Sequence, residues 1–544
     1  MIALALISLL NLPVVAAEVT RVEVDGTSVV SVVPAGLYGV GYNGWGDITS
    51  EQAVGHLNSV GVTHCRIDAD LSLLCGETPG ALDLDYVTPR DGGMGFAARV
   101  QKIIDNGWVP IIALSTSHAL PRWFHGEPTD GGGRPWVRFN LDGTPAEEGR
   151  SDQYEALARL THDLTLAMAQ KGPSGLMWET IYEIGHTMPM ADIHYHAARG
   201  IRRADPEARL MGPATWPGWT VTERFLKPLS SKYGLDLLDF VSVHWYGSNE
   251  HGLWDLGYKP GQDIITMADR AYLDCLMETT PRFADWCREL RALLDSPQYN
   301  PGGRHIGIAY TEYDANAQSP YGRNPENPDW PRYRADADCY VNTNWFGGVW
   351  CASVVCNLAA CGGLDIALKF NTRQYYGLVD NAPEDGYFRQ PVWFAWKLLQ
   401  TAGGLVPGAE MLETKVTGPK DSAAEHLKGQ DTPWVEAYAI RDPRGPRIVL
   451  INRSQHKQRV ELAFPGWTHD LPYRRYLYSQ ERLAPFIGPP PGEKGEGGFR
   501  DAPDDSFNEQ VLLYEDEIVP AATPTEVTCP PVSITVLRPA PGGR

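Results

Sequence analysis

The sequence predicts an α/β protein: a (β/α)8 TIM barrel followed by a C-terminal antiparallel β-sandwich domain. Three observations carry that expectation. Short β-branched runs alternate with helical patterns across residues 35–400, as in βα units around a parallel sheet. Eight such runs occur, the number that closes a barrel. Past residue 400 the helical periodicity fades and strand-like runs separated by Gly and Pro take over, as in an antiparallel sandwich.

The barrel runs come in a definite order. "GLYGVGYNGW" is the first, "VTHCRIDAD" the second, "WVPIIALS" the third and "LMWETIYEI" the fourth. "ARLMGPAT", "LDFVSVHWYG", "HIGIAYTEYDAN" and "LDIALKFNT" complete the set, with amphipathic stretches such as Gln153 to Gln170 and Asp269 to Leu294 between them. An open doubly wound sheet is the structural rival, but no G-x-G-x-x-G turn follows the first run to hold a nucleotide. In the second domain, residues 401–544, the strands are "WVEAYAI", "RIVLIN", "RVELAF" and "VSITVL", and "GPPPGEKGEGGFRDAPDD" reads as a long exposed loop. The early run "VTRVEVDG", within residues 18–34, precedes the barrel and is expected to pair with the sandwich.

Residues 1–17, "MIALALISLLNLPVVAA", are apolar and end in small residues, so Val15 and Ala17 fit a signal cleavage site before Glu18. The basic start of a signal peptide is missing, which leaves an uncleaved anchor open. Nothing later supplies the roughly 20 unbroken apolar residues of a spanning helix, so the mature chain is expected to be secreted or periplasmic without a membrane span. Oligomeric state is left open.

A formal net charge of −20 in 544 residues, with no basic run, argues against nucleic-acid binding, since phosphate contacts need clustered Lys and Arg. Nine cysteines leave at least one thiol unpaired. Cys351, Cys356 and Cys361 recur every five residues in an Ala- and Val-rich run. That spacing matches no common zinc pattern and reads as buried small hydrophobes. His186, His194 and His196 lack a close Cys or acidic ligand, and an H-x-H pair on a helix splays apart. No metal and no cofactor are expected.

The chemistry is carried by acids at strand ends. In a parallel barrel the carboxyl ends of the strands share one mouth. Glu183 ends the fourth run and Glu312 lies at the end of the seventh, so two carboxylates face one cleft. Glycoside hydrolysis needs such a pair. A gap of about 5 to 5.5 Å lets one carboxylate attack the anomeric carbon and retain configuration, whereas roughly 6.5 to 9.5 Å admits a water and inverts it. For each glutamate a surface carboxylate or an ion-pair partner is the plainer use.

At these residues a resemblance becomes specific. "WETIYEIG" is similar to the "WEIWNEPN" segment of clan A glycoside hydrolases, and "YTEYDAN" resembles their "TEWN" segment on strand seven. Family 39, the β-xylosidase and α-L-iduronidase family, is the most similar. Arg66 in "CRIDAD", His244 and Tyr246 in "VSVHWYG", and "YYGLVDNAP" with "RQPVWFAWKLL" extend the likeness over most of the chain. The resemblance implies a (β/α)8 barrel with an appended β-sandwich, Glu183 as acid/base and Glu312 as nucleophile. One departure stands out: the Asn that precedes the acid/base in that clan is Tyr182 here, and the following Pro is Ile184. A phenol donates a hydrogen bond but reaches further than an amide, so the sugar in the reacting subsite is expected to differ.

The remaining candidates bind substrate. Arg66 at a barrel mouth can hold the nucleophile ionised. His244 and Tyr246 are either packed strand residues or partners of the nucleophile and sugar. Asp68 and Asn316 can read sugar hydroxyls or cap turns, and so can Asp70 and Asp314. Of 17 Trp, Trp45, Trp123, Trp216, Trp219, Trp245 and Trp254 fall near strand-end loops, where an indole can stack on a sugar. Trp45 and Trp123 are the first choices. The expectation is a retaining glycoside hydrolase acting on a plant- or microbe-derived oligo- or polysaccharide. The alternative is a carbohydrate-binding protein that keeps the cleft and has lost turnover.

Overall fold

The computed structural model describes residues 19–42, 48–87, 93–116, 120–125, 151–172, 174–183, 189–218, 220–247, 276–315, 345–372, 377–382, 386–421, 432–465, 472–479, 517–518 and 525–540. The N-terminal apolar run, Trp45, His186, Trp219, Trp254, Asn316 and the Pro- and Gly-rich loop lie outside them.

The first strand, β1 (Thr20–Val32), is followed by eight strands that close a parallel barrel. These are β2 (Gly36–Tyr42), β3 (His64–Ala69), β4 (Val109–Leu114), β5 (Met177–Glu179), β6 (Arg209–Thr215), β7 (Phe240–Tyr246), β8 (Gly307–Asp314) and β9 (Ile366–Lys369). Each lies inside one of the eight runs read from the sequence. Ile111, Met177, Met211, Ala309, Ile366 and Leu368 fill the barrel interior, while the alternate residues pack outward on the helices.

The described helices are α1 (Glu51–Ser59), α2 (Leu71–Leu74), α3 (Phe96–Asp105), α4 (Ser151–Lys171), α5 (Met190–Ala204), α6 (Lys227–Tyr233), α7 (Thr280–Leu294), α8 (Trp345–Ala360) and α9 (Pro391–Thr401). A π-helical turn, Thr220–Leu226, runs into α6. Helix α8 is apolar on nearly every face because it is enclosed on nearly every side. Cys351 and Cys356 are buried in it as small hydrophobes, and Cys361 follows its end, half-buried.

Beyond the barrel lie a hairpin, β10 (Val379–Ala382) with β11 (Gly386–Arg389), and a ribbon, β13 (Lys420–Asp421) with β14 (Thr432–Pro433). The remaining strands are β12 (Glu410–Thr417), β15 (Val435–Ile440), β16 (Arg447–Asn452), β17 (Gln458–Ala463), β18 (Tyr473–Tyr478), β19 (Glu517–Ile518), β20 (Thr525–Cys529) and β21 (Ser533–Pro539). Here the largely antiparallel C-terminal strands appear as expected, but their division into a sandwich is not confirmed. Among the described residues these strands form one nine-stranded sheet, β19-β18-β21-β16-β15-β12-β1-β17-β20, instead of a two-sheet sandwich. The reason is β1, which pairs antiparallel with β12 on one edge and parallel with β17 on the other, splicing two groups of strands together. Register breaks between Asp25 and Ser31 bend it, and the sheet curls over its own core of Val22, Leu412, Leu450, Val460, Val527 and Leu537.

The opposite face of the sheet joins the barrel core through Tyr438, Val449, Ile451, Tyr478 and Val536. Close approach at Gly348 allows this, because a Cβ there would overlap the phenol of Tyr478. That phenol is fixed by donating to the Trp345 and Pro391 carbonyls at 3.1 and 3.2 Å. Gly348→Ala is expected to lower the unfolding free energy by about 1–3 kcal/mol, the usual cost of overpacking a rigid contact. A lower urea midpoint in denaturation followed by tryptophan fluorescence checks it.

Candidate active site

Alternation aims β3 and β7 at the barrel mouth without adjustment. Cys65, Ile67 and Ala69 pack on the helices, so Arg66 and Asp68 turn inward. Val241, Val243 and Trp245 do likewise, which leaves His244 and Tyr246 inward. Strand β8 does not follow the rule. Ala309 faces the interior and Tyr310 the helices, so strict alternation would send Glu312 outward. Register shifts on both edges intervene: Val243 and His244 pair with Tyr310 and Glu312, and Ala367 and Lys369 with Tyr310 and Tyr313. Thr311 is the extra residue, and this bulge turns both Thr311 and Glu312 inward while Tyr313 stays in the outer core.

Glu312, only 2% exposed, sits in a nest of donors. Arg66 Nη1 donates to its Oε1 at 2.9 Å and Tyr246 donates its phenol proton to Oε2 at 2.7 Å. His244 Nδ1 lies 3.5 Å from Oε2. Burial pushes the Glu312 carboxyl above its ordinary value, and the Glu183 charge adds to the rise, while His244, Arg66 and the Tyr246 hydrogen bond work against it.

Behind this nest stands a residue that the sequence reading missed. Glu179, fully buried at the end of β5, accepts from Arg66 Nε at 2.6 Å and from Thr311 Oγ1 at 2.6 Å. It fixes the guanidinium that fixes Glu312. The available signal was an acid inside an apolar run, level with Asp68 in the barrel register, since buried charges are paired. Asp68 Oδ1 lies 3.2 Å from Arg66 Nη1, and burial raises its pKa against the pull of that guanidinium. The Arg66 guanidinium also stacks 4.5 Å over the Tyr182 ring. Burial, then the nearby Glu312 and Asp68 charges, drive the Tyr182 phenol upward and keep it neutral.

Glu183 lies four residues past β5, not on the strand itself. Its φ of 44° and that of Ala214, 49°, are both in the left-handed region, a strain that clusters at functional sites. Two hydrogen bonds hold the turn: Glu183 N–H donates to the Ala214 carbonyl at 3.2 Å, and Ala214 N–H to Ser242 Oγ at 3.0 Å. The Glu183 side chain is 50% exposed, with His244 Nδ1 3.1 Å from its Oε1. Burial alone would discharge His244, but the Glu312 charge and the Glu183 hydrogen bond outweigh it and raise its pKa. One donor atom each from Glu183, His244 and Glu312 lie within 4.8 Å of one another. Such a set could also hold a divalent cation, yet Arg66 already supplies positive charge at Glu312.

The other candidates separate. Trp123 packs against the barrel core and donates its indole N–H to the Gly76 carbonyl at 3.1 Å. Trp245 is buried edge-on to Trp286 at 6.1 Å. Asp70 caps α2 by accepting from Ser72 N–H at 2.9 Å, and Asp314 is buried in an ion pair with Lys369. His194 bonds Thr180 and the Leu237 carbonyl, while His196 stacks on Tyr154. These two histidines serve different neighbours.

The whole architecture has counterparts among solved structures. It is similar to a family 51 arabinofuranosidase from Xanthomonas axonopodis pv. citri, at 12% identity over 96% of this chain and 100% of that one, with a TM-score of 0.63. A family 51 α-L-arabinofuranosidase from Bifidobacterium longum gives 13%, 95%, 99% and 0.61. A family 30 endoxylanase from Clostridium papyrosolvens gives 12%, 96%, 100% and 0.53. These neighbours are glycoside hydrolases, and at these identities the likeness of this chain to them is one of fold. Family 39, suggested by the motifs, is a finer assignment than this likeness carries. No family model matches the chain, and no curated protein matches it in sequence. No described helix is long and apolar enough to cross a membrane.

Proposed function

We propose that the protein is a retaining glycoside hydrolase that cleaves O-glycosidic bonds of an oligo- or polysaccharide by double displacement. The observation that carries this reading is the spacing of Glu183 and Glu312, with oxygens within 4.8 Å at the barrel mouth. That is near the gap of about 5 to 5.5 Å for direct attack and below the roughly 6.5 to 9.5 Å that would seat a water.

The environments divide the roles. A nucleophile must be ionised and aimed, and Glu312 is buried with Arg66, Tyr246 and His244 trained on its two oxygens. A general acid must exchange protons with solvent and reach the leaving oxygen, and Glu183 is the half-exposed member. In the first step the Glu312 oxygen bonds to the anomeric carbon as the C–O bond breaks and Glu183 protonates the departing oxygen. In the second, Glu183 takes a proton from water, which displaces Glu312. No cofactor is required, and the motif likeness to family 39 supports the same roles. The names of the fold neighbours make pentosides of plant polysaccharides the first substrates to try.

Incubation with 2,4-dinitrophenyl 2-deoxy-2-fluoro-glycosides of β-xylose and α-L-arabinofuranose tests the reading. Peptide mapping is expected to find one fluorosugar on Glu312. A label elsewhere, or an inverted first product by proton NMR, would overturn it, and binding without label or hydrolysis would favour the binding-protein alternative.

The pH profile supplies a second check. Tyr246 lowers the Glu312 pKa by its hydrogen bond, so Tyr246→Phe lets that pKa rise. Because the ionised form attacks, the acid limb of kcat/KM is expected to move to higher pH. An unmoved limb would remove Glu312 as the group that titrates there.

A further inference from the structure

Beside the acid of the candidate pair stands an indole left in solvent. Strand β6 ends at Thr215, and the next residue, Trp216, is 54% exposed. Among the described residues it is the one aromatic among the exposed large hydrophobics. A barrel with so many buried tryptophans leaves this one out, at the face where parallel barrels place their chemistry.

Its position is tied to Glu183 through the backbone. Glu183 N–H bonds the Ala214 carbonyl at 3.2 Å, two residues before Trp216. With strands about 4.8 Å apart and a rise of about 3.3 Å per residue, the two residues lie within roughly 10 Å of one another, the span of one sugar ring and its side chains. The backbone around the indole is held. Thr215 and Pro217 are buried, and an added Cβ at Gly218 would come within 3.0 Å of the Trp286 ring. Exposure separates the three groups: Glu312 is 2% and Trp216 54% exposed, and the Glu183 side chain is 50% exposed. The reacting sugar must rest on the buried carboxylate. In the double-displacement reading the departing group takes its proton from Glu183, the more exposed of the two acids.

We infer that Trp216 is the stacking platform of the leaving-group subsite, taking the C–H face of the sugar ring that departs. This rests on the glycosidase reading and adds to it a preference for leaving groups that are themselves sugars. An indole offers that face a rigid apolar surface at little entropic cost, and its exposure keeps the subsite open at the outer end, so that a chain can extend beyond it.

The test compares two leaving groups on the same sugar. The sugar is the one found by the fluorosugar label, with xylobiose against β-D-xylosyl fluoride, or an arabinofuranosyl xylo-oligosaccharide against α-L-arabinofuranosyl fluoride. Fluoride has no ring to stack. Trp216→Ala is expected to lower the oligosaccharide-to-fluoride ratio of kcat/KM by about 10-fold, the scale of one aromatic contact, and Trp216→Phe to restore most of it. A ratio that stays the same in Trp216→Ala overturns the inference while leaving the glycosidase reading intact. Failure of the unsubstituted protein to hydrolyse either substrate removes both.

Discussion

Glu312→Gln is expected to lower kcat on the order of 10^4-fold or more, because in the proposed double displacement it removes the nucleophilic carboxylate that would form the covalent intermediate. Gln keeps the length and one oxygen of Glu, so Arg66 can retain its acceptor while the amide NH2 donates to the Tyr246 phenol oxygen, which accepts as well as donates. Arg66 also keeps Glu179 and Asp68, and the loss of one carboxylate does not leave it a bare buried cation. The sign of the stability change follows from the raised pKa of Glu312. A carboxyl whose folded pKa lies above its unfolded value is held ionised at a cost, so its contribution to stability is greatest at low pH and declines as pH rises through that window. At neutral pH the uncharged amide is therefore expected to leave the melting temperature unchanged or to raise it. Thermal melts and single-turnover assays of the same preparation check the two halves together. A variant that melts normally and retains more than a tenth of the activity would exclude Glu312 as the nucleophile.

Much of this arrangement was legible in the sequence, for identifiable reasons. Strands buried on both faces read as continuous apolar runs, so all eight barrel strands could be placed from their composition, and the acids and Arg66 stood out against that background. What composition cannot show is phase. Glu312 faces the mouth only because Thr311 is bulged, and a one-residue change in pleat leaves no mark on hydropathy. Glu183 was expected at a strand end, yet β5 stops at Glu179 and a strained turn carries the acid. The early run was expected to pair with the C-terminal strands, but alternation predicts a strand without naming its neighbours, so its place between β12 and β17, and the single curled sheet that results, were not read. Trp123 shows a different limit. Its place near a strand end suggested stacking on sugar, and composition could not show that its indole N–H is also held by the Gly76 carbonyl.

Glu183→Ala is expected to separate the two halves of the reaction. A methyl or sugar leaving group needs a proton, so kcat/KM on such substrates should fall by about 10^2 to 10^4, the usual worth of general acid catalysis. A 2,4-dinitrophenolate leaves unaided, so Glu312 should still be glycosylated by the corresponding glycoside. The second step then lacks its base. Intermediate accumulates, a burst of dinitrophenol precedes a slow steady state, and KM falls along with kcat. Azide needs no base: its nitrogen bonds to the anomeric carbon as the bond to Glu312 breaks, giving a glycosyl azide of the same configuration as the substrate. Rescue by azide is therefore a property of the acid/base position, and its product reports the side of attack. The left-handed backbone at Glu183 makes Glu183→Gln the companion variant, since it keeps side-chain length where Gly would also relax the turn. Equal losses for both leaving groups, with no burst and no azide product, would take the acid/base role from Glu183 and leave its contact with His244 as a means of placing the histidine.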